Sequence, residues 1–99
     1  MEKQKVALHV NDKDNVATIF ANDVTDKSEV TILDKSGKTE TVTIKGDVPY
    51  GHKIAVRPIA KGELIIKYGE EIGIATSDIA KGEYVHIHNL DSLRGRGDL

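Results

Sequence analysis

The chain contains no cysteine and no tryptophan, and its aromatic residues are limited to one phenylalanine and three tyrosines. Without cysteine it forms no disulfide, no thiol nucleophile and no thiolate metal site. The formal net charge of −2 provides no basic footprint for nucleic acid or for an anionic membrane. No segment approaches the ~20 apolar residues of a membrane span, and the N-terminus lacks a signal-peptide core. The sequence therefore predicts a cytoplasmic protein that binds neither nucleic acid nor membrane.

The length and composition predict a single small domain. With 99 residues, 38% of them hydrophobic, the chain can bury a modest core but cannot form a two-lobed enzyme cleft. Because aromatic residues are sparse, this core must be built from Val, Ile, Leu and Ala. We predict a domain over residues 1–90 and a flexible Arg/Gly-rich tail over residues 91–99.

A repeated pentapeptide is the most informative feature that is present. Ile59-Ala60-Lys61-Gly62-Glu63 returns as Ile79-Ala80-Lys81-Gly82-Glu83, and each copy lies between two apolar stretches. Such self-similarity indicates a supersecondary unit that is used twice. Gly62 and Gly82 stand where a tight turn needs positive φ, which glycine adopts without a Cβ penalty. The unit is interpreted as a strand, one helical or 3₁₀ turn, a glycine turn and a second strand.

The rest of the chain favours β structure. A diverged third copy of the unit lies within residues 16–30, with one extra residue and Ser28 in place of glycine. Residues 34–38 are typical of a hairpin turn. No amphipathic helix longer than two turns is evident. β-prone runs occur at residues 6–10, 16–20, 30–33, 41–44, 54–56, 64–66, 72–75 and 84–88. We predict a small, mostly antiparallel β fold with one-turn helices at the repeats.

His86 and His88 are two residues apart on a predicted strand, so both rings should project from the same face. Paired neutral imidazoles on a strand can bind zinc, iron or manganese. The alternative is that both rings face solvent and bind nothing. Tyr84 shares this predicted face, either as a hydrogen-bond donor or as a packing residue.

His52 and Lys53 lie where a loop enters a strand, a position that often presents functional side chains. His52 could act as a metal ligand or as a general acid or base, and Lys53 could neutralise a substrate carboxylate. The alternative is a solvated loop. His9 is interpreted as a surface or packing residue.

Arg94 and Arg96 lie in the predicted tail. Their guanidinium groups suit bidentate recognition of a carboxylate or contact with another polypeptide. A solubilising tail is the simpler alternative. No phosphate-binding glycine loop, no G-x-S-x-G sequence and no nucleophile–base pair is evident.

Five short motifs, taken in order, resemble the SAF domain of altronate and galactarate dehydratases. They are similar as well to the separately encoded small subunit of (2R)-sulfolactate sulfo-lyase, and the ending after Asn89 looks most like these small subunits. The resemblance covers nearly the whole chain, and the order of the motifs makes it specific. The motifs are Gly51-His52-Lys53-Ile54-Ala55, residues 59–63, Ile66-Lys67-Tyr68-Gly69, residues 78–83 and Val85-His86-Ile87-His88-Asn89.

The resemblance implies a β-clip fold and a part in a lyase whose larger subunit contains most of the active site. Such enzymes eliminate water or sulfite from a sugar acid or other 2-hydroxy acid, generally with a divalent metal, usually iron. By resemblance we expect a catalytic role for His52 and Lys53, and metal binding by His86 and His88. The same resemblance implies substrate binding by Asn89, Arg94 and Arg96.

Two other functions compete with this interpretation. SAF domains also serve as non-catalytic binding or assembly modules, which would not need the histidine motifs. A self-contained enzyme is disfavoured by the short chain and by the lack of an evident catalytic dyad. The sequence leaves open whether the substrate is altronate, galactarate, sulfolactate or another 2-hydroxy acid.

Overall fold

The computed structural model describes residues 5–92, and over that range the chain forms nine β-strands and no helix. The predicted mostly-β class of β-clip type is confirmed. The one-turn helices expected at the repeats are wrong, since tight hydrogen-bonded turns occupy those positions. The strands are β1 (Val6–His9), β2 (Val16–Ile19), β3 (Glu29–Asp34), β4 (Thr39–Thr43), β5 (Lys53–Ala55), β6 (Leu64–Lys67), β7 (Glu70–Ala75), β8 (Tyr84–Val85) and β9 (Leu90–Ser92).

Six of the strands form one sheet in the order β4-β3-β1-β2-β5-β8. The β1–β3 pair is parallel and the other neighbours are antiparallel. The predicted hairpin between β3 and β4 is confirmed, and Gly37 has a φ of +90° in its turn.

The two outer strands of this sheet are joined by the segment that follows β4. The N–H of Lys45 donates to the carbonyl of Gly82 (2.9 Å), and the N–H of Tyr84 donates to the carbonyl of Lys45 (3.3 Å). β4 and β8 are the two edge strands of the sheet. These bonds connect β8 to the segment that directly follows β4. The sheet therefore curls towards closure, which covers edge groups that would otherwise be unpaired.

The remaining strands form a second sheet in the order β6-β7-β9. The hairpin between β6 and β7 turns through Tyr68 and Gly69, whose φ angles are +55° and +77°. Asp14, which is 1% exposed, fastens this turn to the first sheet. Its carboxylate accepts the N–H groups of Tyr68 (2.9 Å) and Gly69 (2.8 Å), and also that of Asn11 (3.2 Å).

The two copies of the repeat pair with each other. Ile59 and Ile79 exchange both backbone hydrogen bonds, at 2.8 and 2.7 Å. The N–H of Gly62 donates to the carbonyl of Ala75, and the N–H of Gly82 donates to that of Ala55 (2.8 Å each). Each repeat thus completes its turn with the strand that precedes the other repeat.

Both repeat glycines have the positive φ that the sequence predicts, +91° at Gly62 and +85° at Gly82. Their surroundings differ. A Cβ at Gly62 would meet no atom within 4 Å, whereas a Cβ at Gly82 would lie 2.2 Å from the carbonyl oxygen of Thr43.

The diverged third copy forms the same turn with different residues. Lys27 has a φ of +74°, so this lysine, not Ser28, occupies the glycine position of the turn. Ser28 takes the place of the repeat glutamate: its hydroxyl accepts the N–H of Thr25 (3.1 Å), as the Glu63 carboxylate accepts that of Ala60 (2.7 Å). The assignment of Ser28 to the glycine position is therefore wrong, because a lysine adopts the left-handed conformation here.

Two clusters of buried aliphatic residues form the core, as the composition predicts. The first lies against the large sheet and includes Ile19, Val30, Ile44 and Ile54. The second lies beneath the repeats and includes Ile59, Ile65, Ile79, Val85 and Leu90.

The predicted tail begins at Asp91, and its first two residues, Asp91 and Ser92, lie in β9. Residues 93–99 lie outside the described range. Among residues 5–92, the structure has no helix of the length and apolarity needed to cross a membrane.

Candidate functional site

One edge of the large sheet brings four ring side chains together: His52, Tyr84, His86 and His88, hereafter the histidine cluster. The antiparallel pairing of β5 with β8 sets Ile54 opposite Tyr84 and Lys53 opposite Val85. Because paired strands run alongside each other, His52 just before β5 comes next to His86 just after β8. The Tyr84 hydroxyl and Nδ1 of His52 form a hydrogen bond of 2.7 Å.

The other two histidines lie against the same tyrosine ring. The His86 ring stacks on Tyr84 with an interplanar angle of 7° and a centroid distance of 5.6 Å. The His88 ring lies 5.4 Å from Tyr84, and the His52 and His86 centroids are 4.9 Å apart. The cluster is therefore a contiguous set of imidazoles built around one phenol, at distances typical of aromatic contacts.

His86 and His88 do not lie on a strand, so the predicted strand over residues 84–88 is wrong beyond Val85, although both rings contact the same side chain, Tyr84. β8 ends at Val85, and residues 86–89 form a turn. The side chain of Asn89 stabilises this turn, because its Oδ1 accepts the N–H of His86 (3.0 Å) and its Nδ2 donates to the carbonyl of Tyr84 (2.9 Å). The backbone N–H of Asn89 also donates to the carbonyl of His86 (3.0 Å). Such local side-chain bonds compete with strand pairing.

Asn89, which the resemblance assigns to substrate binding, has a structural role in the turn. The residue is 1% exposed, and its side-chain amide forms hydrogen bonds with the backbone of the turn that bears the two histidines. Asn89 therefore positions the turn that bears His86 and His88, and its predicted contact with substrate stays a prediction.

The electrostatic environment favours the neutral form of the His86 ring. Burial lowers the pKa of His86, and the nearby cations of His52, Lys53 and His88 lower it further. Burial also raises the pKa of Tyr84, so its phenol remains protonated. A neutral imidazole can accept a proton or donate a lone pair, and a protonated phenol can donate a hydrogen bond.

A cleft of about 350 Å³ opens beside the cluster. It lies between the two sheets, since β5 contributes Lys53 and the β6–β7 hairpin contributes Lys67 and Tyr68. Burial lowers the pKa of Lys53, and the charge of Lys67 adds to that effect. The lining residues are Lys53, Lys67, Tyr68, Glu70, Ile72, His86, Ile87, Leu90 and Ser92.

The predicted metal site is not completed by the described residues. Within residues 5–92 no three His, Asp or Glu side chains are grouped so that they could bind one metal ion. Catalytic metal sites need about three protein ligands around one ion, so the ligands absent from residues 5–92 would have to come from elsewhere. Metal binding by His86 and His88 stays a prediction.

The sequence matches the family described as the altronate/galactarate dehydratase SAF domain over residues 5–93. The chain belongs to this family. The resemblance inferred from the motifs is thereby confirmed, and both strings that contain the cluster histidines lie within the matched region of the SAF domain.

The individual relatives include an altronate dehydratase and two subunits of (2R)-sulfolactate sulfo-lyase. The SAF domain is 44% identical over 86 residues to an altronate dehydratase of Escherichia coli K12, which covers 87% of this chain and 16% of that protein. It is 40% identical over 57 residues to the (2R)-sulfolactate sulfo-lyase subunit alpha of Chromohalobacter salexigens, covering 58% of this chain and 61% of that subunit. The corresponding subunit of Paracoccus pantotrophus is 42% identical over 53 residues, covering 54% of this chain and 79% of the subunit. The chain thus spans less than two thirds of the first two relatives.

The remaining predicted site residues have different outcomes. His52 and Lys53 lie close to His86, His52 in the cluster and Lys53 in the adjacent cleft. Arg94 and Arg96 lie outside the described residues, so their predicted contact with substrate stays a prediction.

Lys67 and Tyr68 were not identified as site residues from the sequence. Both belong to the motif Ile66-Lys67-Tyr68-Gly69, which entered the resemblance only as a string. The sequence did contain one signal for Tyr68. It precedes Gly69 in a two-residue turn, where asparagine, aspartate and glycine are favoured, so a tyrosine at that position is unusual.

Proposed function

We propose that this SAF domain is the small subunit or N-terminal module of a lyase that eliminates water or sulfite from a sugar acid or other 2-hydroxy acid. A larger chain contributes the rest of the active site. The proposal extends the family membership to this chain, whose relatives are named as dehydratases and as sulfo-lyase subunits.

The observation that best supports the proposal is the histidine cluster. It supplies groups for proton transfer, but the described residues do not complete a metal site around it. Half-buried His52, Tyr84 and His86 supply a hydrogen-bonded pair and a neutral imidazole. Ile87, between His86 and His88, is 79% exposed, so the turn presents an apolar side chain at the protein surface. It is the most exposed large hydrophobic side chain among residues 5–92, and its position beside an incomplete site supports a covering subunit here.

In the proposed reaction His52 acts as a general acid or base. Its Nδ1 hydrogen bond to Tyr84 fixes the ring and leaves Nε2 for proton exchange with substrate or with the partner subunit. Elimination from a 2-hydroxy acid requires a proton to leave the carbon skeleton and a proton to reach the leaving hydroxyl group. Lys53 stabilises negative charge that develops near the carboxylate.

We include in the proposal a divalent metal, iron by resemblance, with ligands drawn from His86, His88 and the partner subunit. Such an ion supplies charge stabilisation for the substrate oxygens. The reaction is placed in the cytoplasm, as the sequence predicts.

The test is an assay of this chain with its lyase partner, isolated together from cells that make both. Altronate and galactarate dehydration and sulfite release from (2R)-sulfolactate are measured for the complex and for the chain alone. We expect turnover only with the complex. His52→Ala should lower kcat by about 10²–10⁴-fold, which is the usual contribution of a general acid or base.

His9→Ala is the matched control, since His9 is also half-buried but bonds the carbonyl of Asp14 (2.7 Å) away from the cluster. It should leave kcat unchanged. Full activity of His52→Ala and His88→Ala, in complexes that still assemble, would refute the catalytic role and favour the alternative of a non-catalytic binding or assembly module.

A further inference from the structure

The cleft between the two sheets has an excess of positive charge. Lys53 and Lys67 both line it, close enough that the positive charge of Lys67 adds to the effect of burial in lowering the pKa of Lys53. Glu70 is the one carboxylate among the described lining residues, and His86 is the one imidazole. Two ammonium groups against one carboxylate leave a site that favours an anion.

The walls of the cleft are largely apolar. Ile72, Ile87 and Leu90 contribute to them, and Leu90 is 8% exposed. An apolar wall lowers the local dielectric constant, so each ammonium attracts an anion more strongly than it would at an open surface. The volume of about 350 Å³ suits a small organic molecule rather than a macromolecular segment.

Tyr68 provides a second, independent observation. It has a φ of +55° and is 52% exposed, so it adopts a disfavoured conformation without being buried in the core. Neither turn preference nor core packing explains a tyrosine here, and residues held in sparsely populated conformations are concentrated at functional sites. Its ring lies 5.0 Å from Nζ of Lys67, which directs that ammonium group along the wall of the cleft.

We propose that this cleft is a carboxylate-binding subsite in which Lys53 and Lys67 bind the anionic group and Tyr68 forms one wall. The identification of the anionic group as the carboxylate of a 2-hydroxy acid rests on the proposed function, whereas the preference for an anion follows from the cleft. His86 borders both the cleft and the histidine cluster. A carboxylate bound by the lysines therefore places the adjacent carbon atoms beside the imidazoles.

The test is an NMR titration of the 99-residue chain with sodium gluconate, a six-carbon sugar acid. Sorbitol, which has the same carbon chain without a carboxylate, is the parallel probe, and sodium chloride keeps the ionic strength constant. We expect saturable shifts at Lys53, Lys67 and His86 with gluconate and none with sorbitol. Equal shifts with both probes, or none with gluconate, would overturn the proposal.

Lys67→Gln should weaken gluconate binding by about tenfold, the effect of losing one charge-assisted contact. Lys61→Gln is the matched control, since Lys61 is an exposed lysine on a repeat turn and does not line the cleft. It should change the Kd by less than about twofold. Equal weakening by both substitutions would identify general charge attraction and refute a built site.

Tyr68→Asn tests the wall without risk to folding, because asparagine suits the turn better than tyrosine. We expect a higher Tm and weaker gluconate binding in the same variant. A higher Tm with unchanged binding would remove Tyr68 from the subsite.

The lyase complex separates this proposal from the proposed function. Turnover of a sugar acid with a KM unaffected by Lys67→Gln would refute the subsite and leave the lyase function standing. Specific gluconate binding at the lysines in a complex without lyase activity would support the subsite and refute the function.

Discussion

Alanine substitution at the two repeat glycines should have very different costs, although the two positions are equivalent in sequence. Gly62 and Gly82 both have positive φ, so alanine at either position pays the left-handed penalty of about 1–2 kcal/mol. Only at Gly82 does the new Cβ lie 2.2 Å from the Thr43 carbonyl oxygen. The chain after β4 must then move away, and overpacking of this kind costs a further ~1–3 kcal/mol.

We therefore expect Gly62→Ala to lower the free energy of unfolding by about 1–2 kcal/mol and Gly82→Ala by about 2–5 kcal/mol. A domain of this size has roughly 5–15 kcal/mol in total, so the second change is a large fraction of its stability. The substitution also weakens the Lys45–Gly82 hydrogen bond that joins the two edges of the sheet.

Urea denaturation followed by circular dichroism measures both variants against the parent. With an m value of ~1–3 kcal/mol/M, the two midpoints should differ by about 1 M. Equal midpoints for Gly62→Ala and Gly82→Ala would refute the contact with Thr43 as the source of the difference. A midpoint unchanged from the parent in both would refute the positive φ itself.

Two further predictions concern the cleft and its support. Asp14→Ala removes the buried acceptor of the Tyr68 and Gly69 N–H groups. We expect the free energy of unfolding, measured by urea denaturation, to fall by about 2–4 kcal/mol and amide exchange at Gly69 to become faster. Asp12→Ala, at an exposed position, is the control, and unchanged exchange at Gly69 would contradict the prediction. Lys67→Gln should raise the pKa of Lys53 towards 10.5, measured by NMR titration of its side chain, since it removes a neighbouring positive charge. In the parent the folded pKa of Lys53 is the lower one, so the unfolded state binds more protons between the two values and stability rises with pH across that window. The substitution should reduce this rise, and a pKa that stays unchanged would contradict the cleft geometry.

Patterns that depend on local geometry were predictable from the sequence. The repeat turns follow from glycines between apolar stretches, and the β3–β4 hairpin follows from its turn residues. The family could be recognised from motifs whose order is fixed, even though no single motif is specific.

Features that depend on competing local bonds or on distant contacts were not predictable. The run from Tyr84 to His88 alternates like a strand, but the Asn89 side chain captures the backbone and produces a turn. Lys27 occupies the left-handed position of the third turn, whereas comparison of the repeats assigned that position to Ser28. Lys67 and Lys53 line one cleft although they lie in different sheets, and the β6–β7 turn beside Lys67 is held by buried Asp14, which is 54 positions from Tyr68 in the sequence.

The pairing of the two repeats has the symmetry of a dimer contained within one chain. Ile59 and Ile79 exchange equivalent hydrogen bonds, and each repeat glycine donates to the strand before the other copy. In an isologous interface of this type, one surface contacts its own counterpart. Neither copy can complete the hydrogen bonds of its turn without the other, so we expect the two copies to fold and unfold as one cooperative unit. Substitutions at Ile59 and Ile79 should accordingly be strongly non-additive, as expected of residues in direct contact.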